Sequence, residues 1–268
     1  MLYLTTLFFI CELFLIFIWR WKKNKQPFYR EDREIIMGHR GSPALITENT
    51  ISSFQKALEQ GVDGVELDIR LSKDGKVVIF HDEDLMRLAG RKERVLDLPL
   101  EDLRKIKLKK IKDQTEDATI PALDDIIPLL PRMRVINIEI KSEKLYEDLK
   151  ILDHLASFIA KTDISSKCIV SSFNPYLLYK LKKKYPKIIQ GFLYSGYKPL
   201  VYNLFWMLLC RPDNLHINHR AINPFIRWWA KHKGLYINVY TVNDCDTYHS
   251  LQQSKLDGIF SDNIEYLK

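Results

Sequence analysis

The 268-residue sequence predicts an α/β fold: a (β/α)8 TIM-type barrel with a small insertion after the second strand unit, preceded by one N-terminal transmembrane helix. Three observations lead there. From residue 35 onward, short β-type runs alternate with helical stretches eight times over. The first three strand units all finish in ionisable residues, which a purely structural core avoids. Finally, residues 2–19 are apolar except for Thr5, Thr6 and Glu12.

The N-terminal stretch comes first. Eighteen residues at about 1.5 Å each reach roughly 27 Å, nearly the hydrocarbon thickness of a bilayer. A cleaved signal peptide is the alternative, but there is no basic n-region and no small-x-small site before the cluster Arg20, Lys22, Lys23 and Lys25. The expectation is therefore an uncleaved single-pass anchor over 1–21, with Trp19 and Trp21 at the interface. Glu12 near mid-span is costly in such a helix. The basic cluster after the span places the rest of the chain on the cytoplasmic side by the positive-inside rule. A basic, polar linker follows over 22–34.

The remaining chain, 35–268, reads as the barrel. Strand candidates are 35–37, 64–70 with 77–80 as one interrupted unit, 134–140, 168–171, 188–194, 215–218, 236–241 and 258–260. Helical patterns lie between them at 50–60, 123–130, 145–161, 175–185, 199–209, 224–233 and 245–254. A doubly wound sheet would usually carry a glycine-rich phosphate loop after its first strand, and none is present. Residues 83–120 break the rhythm, being charged, helix-prone in part and too long for a simple loop. They read as an insertion over the barrel's C-terminal mouth, or as a peripheral solvated hairpin. The run LVYNLFWMLLC at 200–210 is too short to span a membrane. It is either a buried barrel helix or a membrane-facing patch.

Composition narrows the function. The formal charge of +7 is modest and partly local to the N-terminal cluster. No basic patch is interleaved with aromatics, so nucleic acid is not an expected partner. An anionic membrane surface or a phosphate compound suits the basicity. Cys11, Cys168, Cys210 and Cys245 are scattered, with no C-x-x-C and no zinc spacing.

In a barrel, catalytic groups come from the C-terminal ends of strands. His39 directly follows the first strand, and His81 follows Phe80 in the second unit. Glu66 and Asp68 are two apart, so on a strand they share one face, and Glu139 and Lys141 repeat the spacing on the third. Glu66, Asp68 and Glu139 form a hard oxygen set suited to one divalent cation, Mg²⁺ or Ca²⁺. Salt bridging to Arg40 and Lys141 is the structural alternative. Asn49 or Thr50 is an N-cap candidate for the first helix, and Asp74-Gly75 a tight turn.

Residues 38–82 read GHRG, then ENT, then GVDGVELDIRLSKDGKVVIFHD. With NIEIK (137–141), SSF (171–173), TVND (241–244) and DGIFSDN (257–263), this ordered set resembles the glycerophosphodiester phosphodiesterase family. The resemblance implies metal-dependent hydrolysis of glycerophosphodiesters to glycerol 3-phosphate and an alcohol. It implies His39 and His81 as the acid/base pair, and it places Glu48 and Asn49 near the active site. Arg40 and Lys141 are suited to hold the phosphate. Phe173 and Tyr240 are candidate pocket residues, and Asp82 is positioned to orient His81. Two positions depart from the pattern: Thr47 stands where many relatives have Pro, and Tyr240 where many have Trp. Three other readings stay open. Lysophospholipids could be cleaved in lysophospholipase D fashion at a membrane surface, or the chain could bind phosphate headgroups without catalysis. A phosphoinositide-specific phospholipase C shares the barrel and paired histidines but fits the ordered motifs poorly.

Overall fold

The structure, a computed structural model, describes residues 2–18, 23–30, 32–111, 114–115, 117–142, 149–252 and 255–267. The chain opens with α1 (Leu2–Ile18), then β1 (Ile35–His39), α2 (Ile51–Glu59), β2 (Gly64–Leu71) and β3 (Val77–Ile79). Two short helices, α3 (Met86–Ala89) and α4 (Leu100–Lys105), precede a 3-10 segment at Leu123–Arg132 and β4 (Val135–Ile140). The alternation is then regular: α5 (Lys150–Thr162), β5 (Cys168–Ser172), α6 (Pro175–Lys184), β6 (Ile189–Tyr194) and α7 (Leu200–Cys210). It ends with β7 (Asn214–Asn218), α8 (Pro224–Lys233), β8 (Tyr236–Tyr240), α9 (Cys245–Gln252) and β9 (Gly258–Ser261). The predicted helix at 145–161 begins in residues outside those described, as does the end of the one at 245–254.

Eight parallel strands form the TIM-type barrel. They run β1-β2-β4-β5-β6-β7-β8-β9, and β9 pairs with β1 again to close the sheet. β3 stands outside this cycle, antiparallel on β2 after the turn at Asp74-Gly75, where Gly75 takes φ +72°. That reversal carries the chain back to the level of Asp68, whose carbonyl accepts the Phe80 N–H at 2.9 Å. His81 therefore arrives beside the barrel strands without belonging to one.

Alternation sorts the strand residues. Val65, Leu67 and Ile69 face outward, packing with Phe54 of α2 and with Leu123, Ile126 and Leu129 of the 3-10 segment. Pro128 and Pro131 punctuate that segment and supply no N–H to an α-helical ladder. Inside the barrel, Ile35, Met37, Val135, Ile169, Ile189 and Phe260 form an apolar floor with Phe28. Residues 23–30 dock there. Tyr29 donates its hydroxyl to Asn214 at 2.7 Å and stacks on Tyr236 at 4.1 Å, while the Arg134 Nε donates to the Phe28 carbonyl at 2.7 Å.

Helix starts follow their local chemistry. Thr50 caps α2 by accepting from the Ser53 N–H, and Asn174-Pro175 and Asn223-Pro224 open α6 and α8 in the same manner. The segment between β3 and β4 packs Leu85, Val95, Leu103, Ile106, Leu108 and Ala118 into a small core with Phe80. It is tied to the ENT loop through Thr47. The Thr47 N–H donates to Gln114 at 3.0 Å and its hydroxyl to the Lys109 carbonyl at 2.8 Å. A proline at this position would offer neither donor.

The anchor expectation is corrected here. Among the described residues α1 runs over 17 residues, about 25 Å at 1.5 Å per residue. Among the described residues no helix is long and apolar enough to cross a membrane. The single-pass anchor and the cytoplasmic placement built on it are therefore withdrawn. Trp19, Arg20, Trp21 and Lys22, on which the interface and orientation arguments leaned, lie outside the described residues. α1 instead lies against α7, which buries Leu204, Met207 and Cys210 and exposes Val201 and Phe205.

Candidate active site

Parallel register places the acids. His39 pairs with Glu66, and Asp68 pairs with Glu139. Glu66, Asp68 and Glu139 are all buried, and one carboxylate oxygen from each lies within 4.8 Å of the other two. Burial, reinforced by the charge of Asp68, pushes Glu66 up to about 8. Burial acts on Asp68 too, but Lys141 and Arg40 outweigh it and hold that carboxyl well below the usual range. Glu139 is raised by burial, against the pull of Lys141. Glu66 Oε1 is buried with no hydrogen-bond partner. A hard divalent cation fits this donor set, since it would relieve the mutual repulsion and engage the orphaned oxygen.

Each histidine is backed by a carboxylate. His39 Nδ1 lies 2.6 Å from Asp262 Oδ1, and Asp262 is itself fixed by Asn243, which donates to Oδ2 at 2.7 Å and accepts the Asp262 N–H at 2.8 Å. An ionised carboxylate only accepts, so the His39 Nδ1–H donates and Nε2 is left toward the cavity, 3.9 Å from Glu66. Burial opposes protonation of His39, but Glu66 and Asp262 outweigh it and raise its pKa. His81 Nδ1 lies 2.7 Å from Asp82. Burial, with the positive charges of Lys141 and Arg40, lowers its pKa. The Arg70 guanidinium clamps the loop by donating Nε and Nη2 to the His81 carbonyl at 2.9 and 2.7 Å.

Arg40 and Lys141 sit on the acids. Arg40 Nη1 is 2.9 Å from Glu48 and its Nε 3.3 Å from Asp68, while Lys141 Nζ is 3.0 Å from Asp68 and also bonds Glu139. Both side chains also line the cavity, so the salt bridges do not withdraw them from it. Glu48 and Asn49 stand behind it. Glu48 joins Arg40 to Arg87 of α3, and Arg87 reaches on to Asp82 at 2.7 Å. Asn49, at φ +56°, donates to Asp68 Oδ2 at 2.8 Å and accepts the Asp68 N–H at 3.2 Å. Both brace charged groups, and neither lines the cavity.

The cavity, of about 280 Å³, brings together His39, His81, Arg40, Glu66, Glu139 and Lys141. Phe173 and Tyr240 close one side, edge to face at 6.2 Å. A more open cavity of about 520 Å³ adjoins it, sharing His81, Glu139, Lys141 and Phe173. Asp262 and Asn243 were not singled out from the sequence, although both fall inside its quoted motifs DGIFSDN and TVND. Nor was His216, which the alternation of NLHIN turns inward.

Known proteins agree with this architecture. Residues 39–266 match the model of the glycerophosphoryl diester phosphodiesterase family. A glycerophosphodiester phosphodiesterase of Caldanaerobacter subterraneus is 32% identical over 238 residues, covering 88% of this chain and 96% of that protein. The crystal structure of a Thermotoga maritima glycerophosphodiester phosphodiesterase superposes with a TM-score of 0.73 at 31% identity, covering 89% of this chain and 98% of the other. An Oleispira antarctica phosphodiesterase, solved with the product sn-glycerol-3-phosphate, gives 0.76 at 26% identity, covering 87% and 95%. The chain belongs to the glycerophosphoryl diester phosphodiesterase family.

Proposed function

We propose that this chain hydrolyses glycerophosphodiesters to glycerol 3-phosphate and an alcohol, using one divalent cation, Mg²⁺ or Ca²⁺, and His39 and His81 as the acid/base pair. The observation that carries this is a cluster of three carboxylates, two of which (Glu66 and Glu139) line one small cavity together with two carboxylate-backed imidazoles. The sn-glycerol-3-phosphate held by the Oleispira relative supports the product.

A cation held by Glu66, Asp68 and Glu139 would supply charge stabilisation at the phosphate oxygens. Arg40 and Lys141, on the same wall, orient the diester and balance its charge. One imidazole takes the proton of the attacking oxygen as the new P–O bond forms. The other gives a proton to the alcohol oxygen as its P–O bond breaks. Asp262 and Asp82 hold the two rings in register for these transfers. Arg87, bonded to both Glu48 and Asp82, links the supports of the two sides.

Turnover of glycerophosphocholine, measured after chelation and again after Mg²⁺ or Ca²⁺ is added back, tests the reading. Activity should vanish with EDTA and return with metal; turnover indifferent to chelation, or none on any diester, would overturn it. The lysophospholipid alternative leaned on the membrane anchor, and with that anchor withdrawn no observation favours it. Lysophosphatidylcholine in the same assay should be the poorer substrate.

A further inference from the structure

The segment between β3 and β4 is fastened to the ENT loop at a buried threonine. Thr47 is only 1% exposed, and each of its polar groups is engaged. Its N–H donates to Gln114 Oε1 at 3.0 Å and its hydroxyl to the Lys109 carbonyl at 2.8 Å, while its own carbonyl accepts from the Thr50 hydroxyl at 2.7 Å. From Lys109 the path turns back toward α3, because the Lys109 N–H donates to the Leu88 carbonyl at 2.6 Å. Leu88 is the neighbour of Arg87, and Thr47 the neighbour of Glu48. Arg87 donates to both Glu48 oxygens at 2.7 Å, which closes the ring of contacts. A peripheral solvated hairpin would need no such fastening.

Two exits lead from this ring to the cavity. Glu48 Oε1 accepts from Arg40 Nη1 at 2.9 Å. Arg87 Nε donates to Asp82 at 2.7 Å, and the other Asp82 oxygen lies 2.7 Å from His81 Nδ1. The Arg87 side chain itself is 46% exposed. Ion pairs that exposed contribute little unless their geometry is held, and a long side chain loses rotamer freedom in holding it. The forked grip on Glu48 therefore depends on the backbone of α3 being fixed beforehand. We propose that Thr47 is a positioning residue for the reaction: it holds the insertion so that Arg87 sets Arg40 and His81 at one spacing about the phosphate. This rests on the phosphodiesterase reading.

The test is turnover of glycerophosphocholine by the metal-loaded full chain, with kcat and KM taken per folded molecule. Arg87→Ala should lower kcat/KM about 10²-fold, raising KM through Arg40 and lowering kcat through His81. Thr47→Val keeps the size, loses the hydroxyl and should lower kcat/KM about tenfold with the same split. Thr47→Ser keeps the donor and should stay close to the unaltered protein. In the Arg87→Ala background, Thr47→Val should cost nothing further, because both act along one path. Gln114→Leu removes the acceptor of the Thr47 N–H and should repeat this pattern, which keeps the proposal testable if Thr47→Val does not fold. Losses that multiply in the double variants would overturn the assignment. So would melting temperatures that fall while kcat and KM hold. Absence of turnover in the unaltered protein would strike the phosphodiesterase reading instead.

Discussion

The two ends of the barrel interior are built from the same strands and do opposite things. At the floor, Ile35 and Met37 of β1, Val135 of β4 and Ile169 of β5 pack on Phe28 and Phe260. One or two pleats further along, β1 supplies His39, β2 supplies Glu66 and Asp68, and β4 supplies Glu139. Stability is concentrated below and chemistry above, where mutual repulsion among buried acids is tolerated. The lesson is that a parallel strand held by its apolar half can present a costly charge at its end.

Substitutions should divide along that line. The largest effect belongs to the upper end: His39→Ala should lower kcat about 10²–10⁴-fold while a thermal melt shifts little. Equal losses of both would mean that the two halves are not separable. Next comes the floor. Phe28→Ala should cost about 3–5 kcal/mol in a denaturant titration, with kcat per folded molecule retained. A loss of activity without loss of stability would break the comparison.

His216 lies between the two ends and sharpens the boundary through pH. Its ordinary value of 6.5 is lowered by burial to about 3 in the fold. The unfolded chain therefore binds a proton first as pH falls. The neutral-pH stability is complete above 6.5 and is lost as pH drops from there toward about 3. From pH 7 to 5 the unaltered protein should lose about 2 kcal/mol more than His216→Leu in parallel denaturant titrations. Parallel slopes for the two proteins would refute it. The smallest effect is local: Thr50→Ala, which removes the α2 cap, should cost about 1 kcal/mol. Guanidinium midpoints at fixed m would measure it.

Much of this was legible because it is local. Alternation in VELDI and NIEIK fixed which carboxylates share a face, and Thr50 marked where α2 begins. Strand–helix rhythm gave the barrel, since eight parallel strands with helical crossovers have few other ways to bury both faces. The N-terminal helix misled for a related reason. Hydropathy measured a stretch of eighteen residues, whereas among the described residues no helix is long and apolar enough to cross a membrane.

Other features depend on how distant segments meet. Asp262 supports His39 across 223 residues of sequence, and only closure of β9 onto β1 brings them together. That Tyr29 seals the floor against Asn214, and that Arg87 couples Glu48 to Asp82, likewise follow from packing between segments with no shared periodicity. Residue order determined the strands and the face each acid occupies, because side-chain direction follows from backbone geometry within a few residues. The tertiary structure alone decided which carboxylate backs which imidazole and which buried polar atoms stay unpaired, because those depend on the register and closure of the whole sheet.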